Sequence, residues 1–227
     1  KRKRKKCVIV TGSMTDPYTA LETSINHTRA ALDVIERYGF GVSLLTKSTR
    51  ILRDLEQLKR INQKAKVVIQ MTLTTYDEAL CKIIEPNVTS TSERFEALKV
   101  FRDHGIPTIV WLCPILPFIN DTEENIRGIL NYCIEAKVKG ILCFGMGLTL
   151  REGDREYYYA KLDEHFPGLK KDYQRIYGND YSLVSPNNDK LMKIFLEECK
   201  KHQILSDVDE IFKYIGEFES NEQLTLF

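Results

Sequence analysis

Five times along this chain a short, continuously apolar run rich in β-branched residues is followed by a stretch with helical spacing. The runs lie at 7–11, 42–46, 67–73, 107–113 and 140–144. After the first, Ile25, Ala31, Leu32 and Ile35 mark a helix over 24–38, and after the second, Leu52, Leu55, Leu58 and Ile61 mark one over 49–62. Further helices are predicted at 77–84, 92–104 and 122–137. A strand with one wet face alternates polar and apolar residues; a strand without alternation is covered on both faces, as in a parallel sheet wrapped by helices. The pattern predicts an α/β fold with one curved parallel sheet over 1–150. Residues 151–227 are tyrosine-rich and read as a helical extension on the same core, with helices at 189–202 and 207–218 and no Gly/Ser/Pro linker before them. The longest apolar run, 106–119, contains three prolines, so no membrane span is expected. No G-x-G-x-x-G or Walker loop opens any unit, and the six cysteines form no C-x-x-C pair, so no zinc or iron–sulfur motif is complete. Reduced cysteines and the lack of a secretory segment point to the cytoplasm.

In βα barrels chemistry sits where the strands run out. The residues there are Gly12, Ser13, Thr15 and Asp16, then Lys47, then Thr72 and Thr74, then Pro114 and Pro117, and finally Gly145 and Gly147. Small hydroxyls, one ammonium and glycines suit a polar small molecule carrying a carboxylate or phosphate. Each has a plainer reading: Ser13, Thr15, Asp16 and Thr74 as caps or turn residues, Lys47 as a solvated side chain, and the glycines as turns. Their convergence on successive strand ends favours a ligand. His27, His104, His165 and His202 are too far apart for a zinc pair. Glu85-Pro86 reads as a loop stop, with a buried carboxylate the alternative, and Tyr157, Tyr158 and Tyr159 read as helix packing.

These residues resemble a family. The segments G-S-M-T-D-P-Y (12–18), L-L-T-K-S (44–48), M-T-L-T-T (71–75), I-E-P (84–86), E-R-F-E-A (93–97), P-I-L-P-F-I-N-D (114–121) and F-G-M-G-L (144–148) are similar, in order, to the spore photoproduct lyase-like branch of the radical S-adenosylmethionine enzymes. The resemblance implies a partial (β/α) barrel, S-adenosylmethionine as cofactor, and a [4Fe–4S] cluster whose open iron chelates it. The family's C-x-x-x-C-x-x-C loop lies in its first βα unit and has no counterpart here, so the cluster ligands are expected upstream of Lys1 and the piece alone is expected to be inactive. Carried over, Thr15 with Ser13 and Asp16 falls at the methionine moiety, Lys47 at its carboxylate, Thr72 and Thr74 at the fourth-strand contact, and Gly145 and Gly147 beside adenine. The position of Ser13 is a cysteine in true spore photoproduct lyases, where it returns a hydrogen atom; a serine O–H bond is too strong for that, so the substrate stays unnamed.

Two other classes fit the residues: a non-redox small-molecule or anion-binding barrel, and an interaction module. Six of the 33 basic residues sit in 1–6 against 32 acidic residues overall, so the rest of the chain is mildly acidic. The basic run reads as a solvated helix end, with nucleic-acid phosphate as the alternative partner. The last five residues, with Gln223, Leu224, Leu226 and Phe227, resemble the Q-L-x-L-F peptide that docks on the bacterial sliding clamp; the alternative is a tail folded back on the barrel.

Overall fold

The computed structural model describes residues 5–218. Strands β1 (Val8–Thr11), β2 (Gly41–Thr46), β3 (Val67–Thr72), β4 (Thr108–Trp111) and β5 (Gly140–Leu142) form one sheet in sequential order, every pairing parallel. The connecting helices are α1 (Glu22–Ile25), α2 (His27–Tyr38), α3 (Leu55–Lys64), α4 (Glu78–Ile84), α5 (Thr91–Asp103) and α6 (Glu123–Glu135). This is an α/β fold of the partial (β/α) barrel type. The helix predicted over 24–38 is broken at Asn26, which takes φ 55° and separates α1 from α2. Asparagine tolerates that left-handed conformation, and the buried Glu22 braces the break by accepting the Thr28 N–H at 2.9 Å and Arg53 at 2.6 Å. The stretch predicted as helix from 49 begins as a 3-10 turn, Thr49–Asp54, capped by the Ser48 hydroxyl.

Residues 151–218 are mostly helical, with α7 (Asp154–His165), α8 (Leu169–Tyr177), α9 (Asn188–His202) and α10 (Val208–Gly216), and they also supply an unpredicted strand. This strand, β7 (Ser182–Val184), pairs antiparallel with β6 (Gly147–Thr149). Each has three residues, too few for a period to show in sequence. Gly147 is required there, because a Cβ on it would lie 2.4 Å from the Leu183 carbonyl oxygen.

The two sheet faces bury different partners. Outward-facing Val42, Leu44, Ile69, Met71, Val110 and Ile141 pack with Leu32, Leu58, Leu98, Ile129 and Phe195. On the concave face, Val68, Ile109 and Leu142 pack with Ile211 and Ile215 of α10, which touches both β1 and β5 and floors the lumen. Leu205 continues the sheet by a parallel bridge to Gly140. A smaller cluster gathers Leu150, Tyr159, Leu162, Tyr173, Tyr177 and Leu183, tied to the β4 loop by the Tyr173 hydroxyl donating to the Pro117 carbonyl at 2.6 Å. Tyr158 and Tyr159 pack as expected, whereas Tyr157 is exposed. Among the described residues no helix is long and apolar enough to cross a membrane. Residues 1–4 of the basic run, and Gln223, Leu224, Leu226 and Phe227, lie outside the described residues.

Candidate functional site

The strand mouth is assembled from belts that tie one strand end to the next. At β1, Gly12 passes so close to β2 that a Cβ would sit 2.1 Å from the Leu45 carbonyl oxygen, and its φ is 100°. Asp16 then straps the two strands together. One carboxylate oxygen accepts the Thr46 hydroxyl at 2.7 Å and the Tyr18 N–H at 2.8 Å, and the other accepts the Lys47 N–H at 2.8 Å. Asp16 thus spends its acceptors within the protein, while Ser13 and Thr15 beside it are exposed.

Lys47 leaves the end of β2 and its ammonium donates to Glu85 Oε1. Glu85, at the C-terminus of α4, takes the Arg94 guanidinium on its other oxygen. Arg94 is wholly buried, with Nε on the Ser90 carbonyl at 3.3 Å and Nη1 on the Thr72 carbonyl at 2.5 Å. Burial alone would raise the Glu85 carboxyl, but the Arg94 and Lys47 charges outweigh it and hold the group below its ordinary range. Glu85 thus ends α4, the stop read from Glu85-Pro86, and its side chain is also a buried carboxylate.

Thr72 and Thr74 are buried at the β3 end. The Thr74 carbonyl accepts amide N–H groups of Asn120 at 3.0 Å and Asn125 at 2.9 Å. Asn120 and Asp121 of the 114–121 motif are buried straps too: Asp121 accepts the Ser185 hydroxyl and its backbone oxygen accepts Asn187 at 3.1 Å. Asn188 holds the last strand-end loop, its side-chain oxygen accepting the Met146 N–H at 2.9 Å.

A cavity of about 610 Å³ opens beyond β4 and β5, within the usual range for small-molecule sites. Its lining includes Cys113, Pro114, Phe144, Gly145, Gly147 and Asn188. The structure thus brings Gly145 and Gly147 together, whereas Ser13, Thr15, Asp16, Lys47, Thr72 and Thr74 do not line this cavity. Burial and the neighbouring Cys143 push the Cys113 thiol up to about 12, against the lowering influence of the Lys47 ammonium. On the concave face a polar chain crosses three strands, with Trp111 Nε1 donating to Gln70 at 2.7 Å and the Gln70 amide donating to Ser43 at 2.8 Å. Gln70 and Trp111 went unnoticed in sequence because they sit inside apolar runs. Arg94 lay within E-R-F-E-A, where helical spacing gives no reason to bury it.

The comparisons with known proteins bear on this geometry. The model of the radical SAM superfamily matches residues 1–162. The chain belongs to the radical SAM superfamily. The uncharacterized protein Rv2578c of Mycobacterium tuberculosis is 26% identical over 199 residues, which is 88% of this chain and 58% of that protein. The uncharacterized protein MJ0683 of Methanocaldococcus jannaschii is 32% identical over 123 residues, 54% of this chain and 46% of that protein. The chain therefore spans about half the length of these relatives. In fold it is similar to a domain of pyruvate-formate lyase-activating enzyme from Bacteroides vulgatus, with TM-score 0.52 and 9% identity over 80% of this chain and 91% of that domain.

Membership implies S-adenosylmethionine and an iron–sulfur cluster, and the two fit this chain differently. The mouth offers a partly exposed ammonium, hydroxyls and a small-molecule cavity, which suit S-adenosylmethionine. Among the described residues no group of three His, Cys, Asp or Glu side chains is arranged to hold a metal, and Cys133, Cys143 and Cys199 are buried in the hydrophobic core. The described residues do not fit the cluster.

Proposed function

We propose that this chain is the S-adenosylmethionine-binding part of a radical SAM enzyme of the spore photoproduct lyase-like type, with residues 1–150 as cofactor-binding core and 151–227 as an extension packed on it. In such enzymes the cofactor supplies a 5′-deoxyadenosyl radical that takes a hydrogen atom from substrate. The part played by these residues is to bind and orient. Lys47 meets the methionine carboxylate, Ser13 and Thr15 flank the methionine moiety, Thr72 and Thr74 close the β3 side, and the backbone at Gly145 and Gly147 faces adenine. Asp16 acts from behind by fixing the Lys47 backbone. The cluster is assigned to residues outside 5–218.

The observation that carries this reading is a mouth where two cations, Lys47 and Arg94, share one carboxylate, and only Lys47 (36% exposed) is open to a ligand. The chain's single tryptophan, Trp111, stands on the concave face near Phe144 of the cavity wall, with ring centroids 5.9 Å apart. Titration of S-adenosylmethionine, followed by Trp111 emission and calorimetry, is expected to show saturable binding. Lys47→Ala should weaken it by about 1.5–3 kcal/mol, the worth of a charge-assisted hydrogen bond. Equal affinity in Lys47→Ala removes Lys47 from the site, and saturation by simple anions but not by S-adenosylmethionine favours the non-redox barrel. A nucleic-acid substrate, and clamp docking through Gln223, Leu224, Leu226 and Phe227, belong to the same proposal. Titrating a peptide of residues 219–227 against a bacterial sliding clamp tests the docking, and no binding at high micromolar concentration ends it.

A further inference from the structure

Lys47 is held at both ends. Its backbone N–H is pinned by Asp16, and its ammonium is pinned by Glu85. Glu85 is itself fixed, because its second oxygen is taken by Arg94, and Arg94 has nowhere to move: it is fully buried and bonded to the Ser90 and Thr72 carbonyls. A bonded series therefore runs from the first turn of α5, past the end of β3, through the end of α4, to the end of β2.

We propose that Glu85 and Arg94 are positioning residues that hold the Lys47 ammonium at the strand mouth, in the place where it meets the carboxylate of the incoming cofactor. The proposal rests on the cofactor reading above. A lysine side chain is long and flexible, and ordering it on binding costs rotamer entropy. Here that ordering is complete before the ligand arrives, and preorganisation of this kind raises affinity. Each oxygen of Glu85 serves one cation, so the carboxylate bridges them and leaves the remaining ammonium N–H donors of Lys47 to a ligand. The planar fork of Arg94 matters as much as its charge, since one guanidinium must reach Thr72 and Glu85 together.

The sign of one measurement separates positioning from charge balance. If Glu85 only offset positive charge, its removal would tighten binding of a carboxylate. Positioning requires the reverse. By calorimetry on the full chain, Glu85→Gln is expected to bind S-adenosylmethionine about tenfold more weakly, and Arg94→Lys, which keeps the charge and loses the fork, to do the same. 5′-Methylthioadenosine, which has no amino-acid carboxylate, should bind both variants as it binds the parent protein. Equal or tighter S-adenosylmethionine binding by Glu85→Gln overturns the proposal, as does an equal loss for both ligands, the mark of a merely structural role. Thermal unfolding by circular dichroism shows whether each variant is folded. If Glu85→Gln is not, Glu85→Asp keeps the charge on a side chain one methylene shorter and must show the same ligand-selective loss. Lys47→Ala distinguishes the two failures: if it leaves S-adenosylmethionine affinity unchanged, the cofactor reading itself has failed.

Discussion

Arg94 shows what the mouth demands of a single residue. A guanidinium with no exposed surface is tolerated because Glu85 and the Ser90 and Thr72 carbonyls take its N–H groups. Arg94→Met leaves Glu85 with Lys47 as its remaining cation and takes the guanidinium donor from the Ser90 and Thr72 carbonyls, so it is expected to destabilise by roughly 1–3 kcal/mol for each group left unsatisfied, in denaturant unfolding. Glu85 gives the same contact a pH signature. Its carboxyl is held below its ordinary value of 4.5, so the stabilisation it contributes is complete above that pH and is lost as pH falls through the lower folded value. Melting temperature should therefore fall more steeply below pH 4.5 in the parent protein than in Glu85→Gln; parallel curves would show that the pair carries no linkage. Lys47 was legible as a strand-end cation because its position follows from strand length alone. Arg94 and Glu85 were not, since which charges meet across two helices depends on how those helices dock.

At the scale of elements, the strands were the readable part, and the cap of α5 was not read. Ser90 and Glu93 form a reciprocal cap at the start of α5, and that cap also sets the turn from which Arg94 departs. Ser90→Ala should lower stability by about 0.5–2 kcal/mol in chemical denaturation. All five parallel strands stood where continuous apolar runs placed them, because a strand buried on both faces advertises itself. The β6–β7 ribbon did not, as it is two three-residue strands joined across the whole of α7 and α8. Nor did the break at Asn26, where periodicity runs through a left-handed residue without a gap.

For the whole molecule, the decisive contact is the one between its first strand and its last described helix. α10 lies across the lumen against both β1 and β5, with Ile211 wholly buried between Val68, Ile109 and Leu142. Its amphipathic spacing was visible in the sequence, but not that it would enter the concave face instead of joining the outer layer; that choice depends on a lumen which exists only once the sheet has curved. Ile211→Ala should cost about 2–5 kcal/mol in urea unfolding, more than an exposed substitution on the same helix. This arrangement also imposes an order on synthesis. The ribosome delivers all five sheet strands before it delivers Val208–Gly216. Until then a nascent chain carries an apolar trough with no floor, the kind of transient surface that chaperones shield and aggregation exploits.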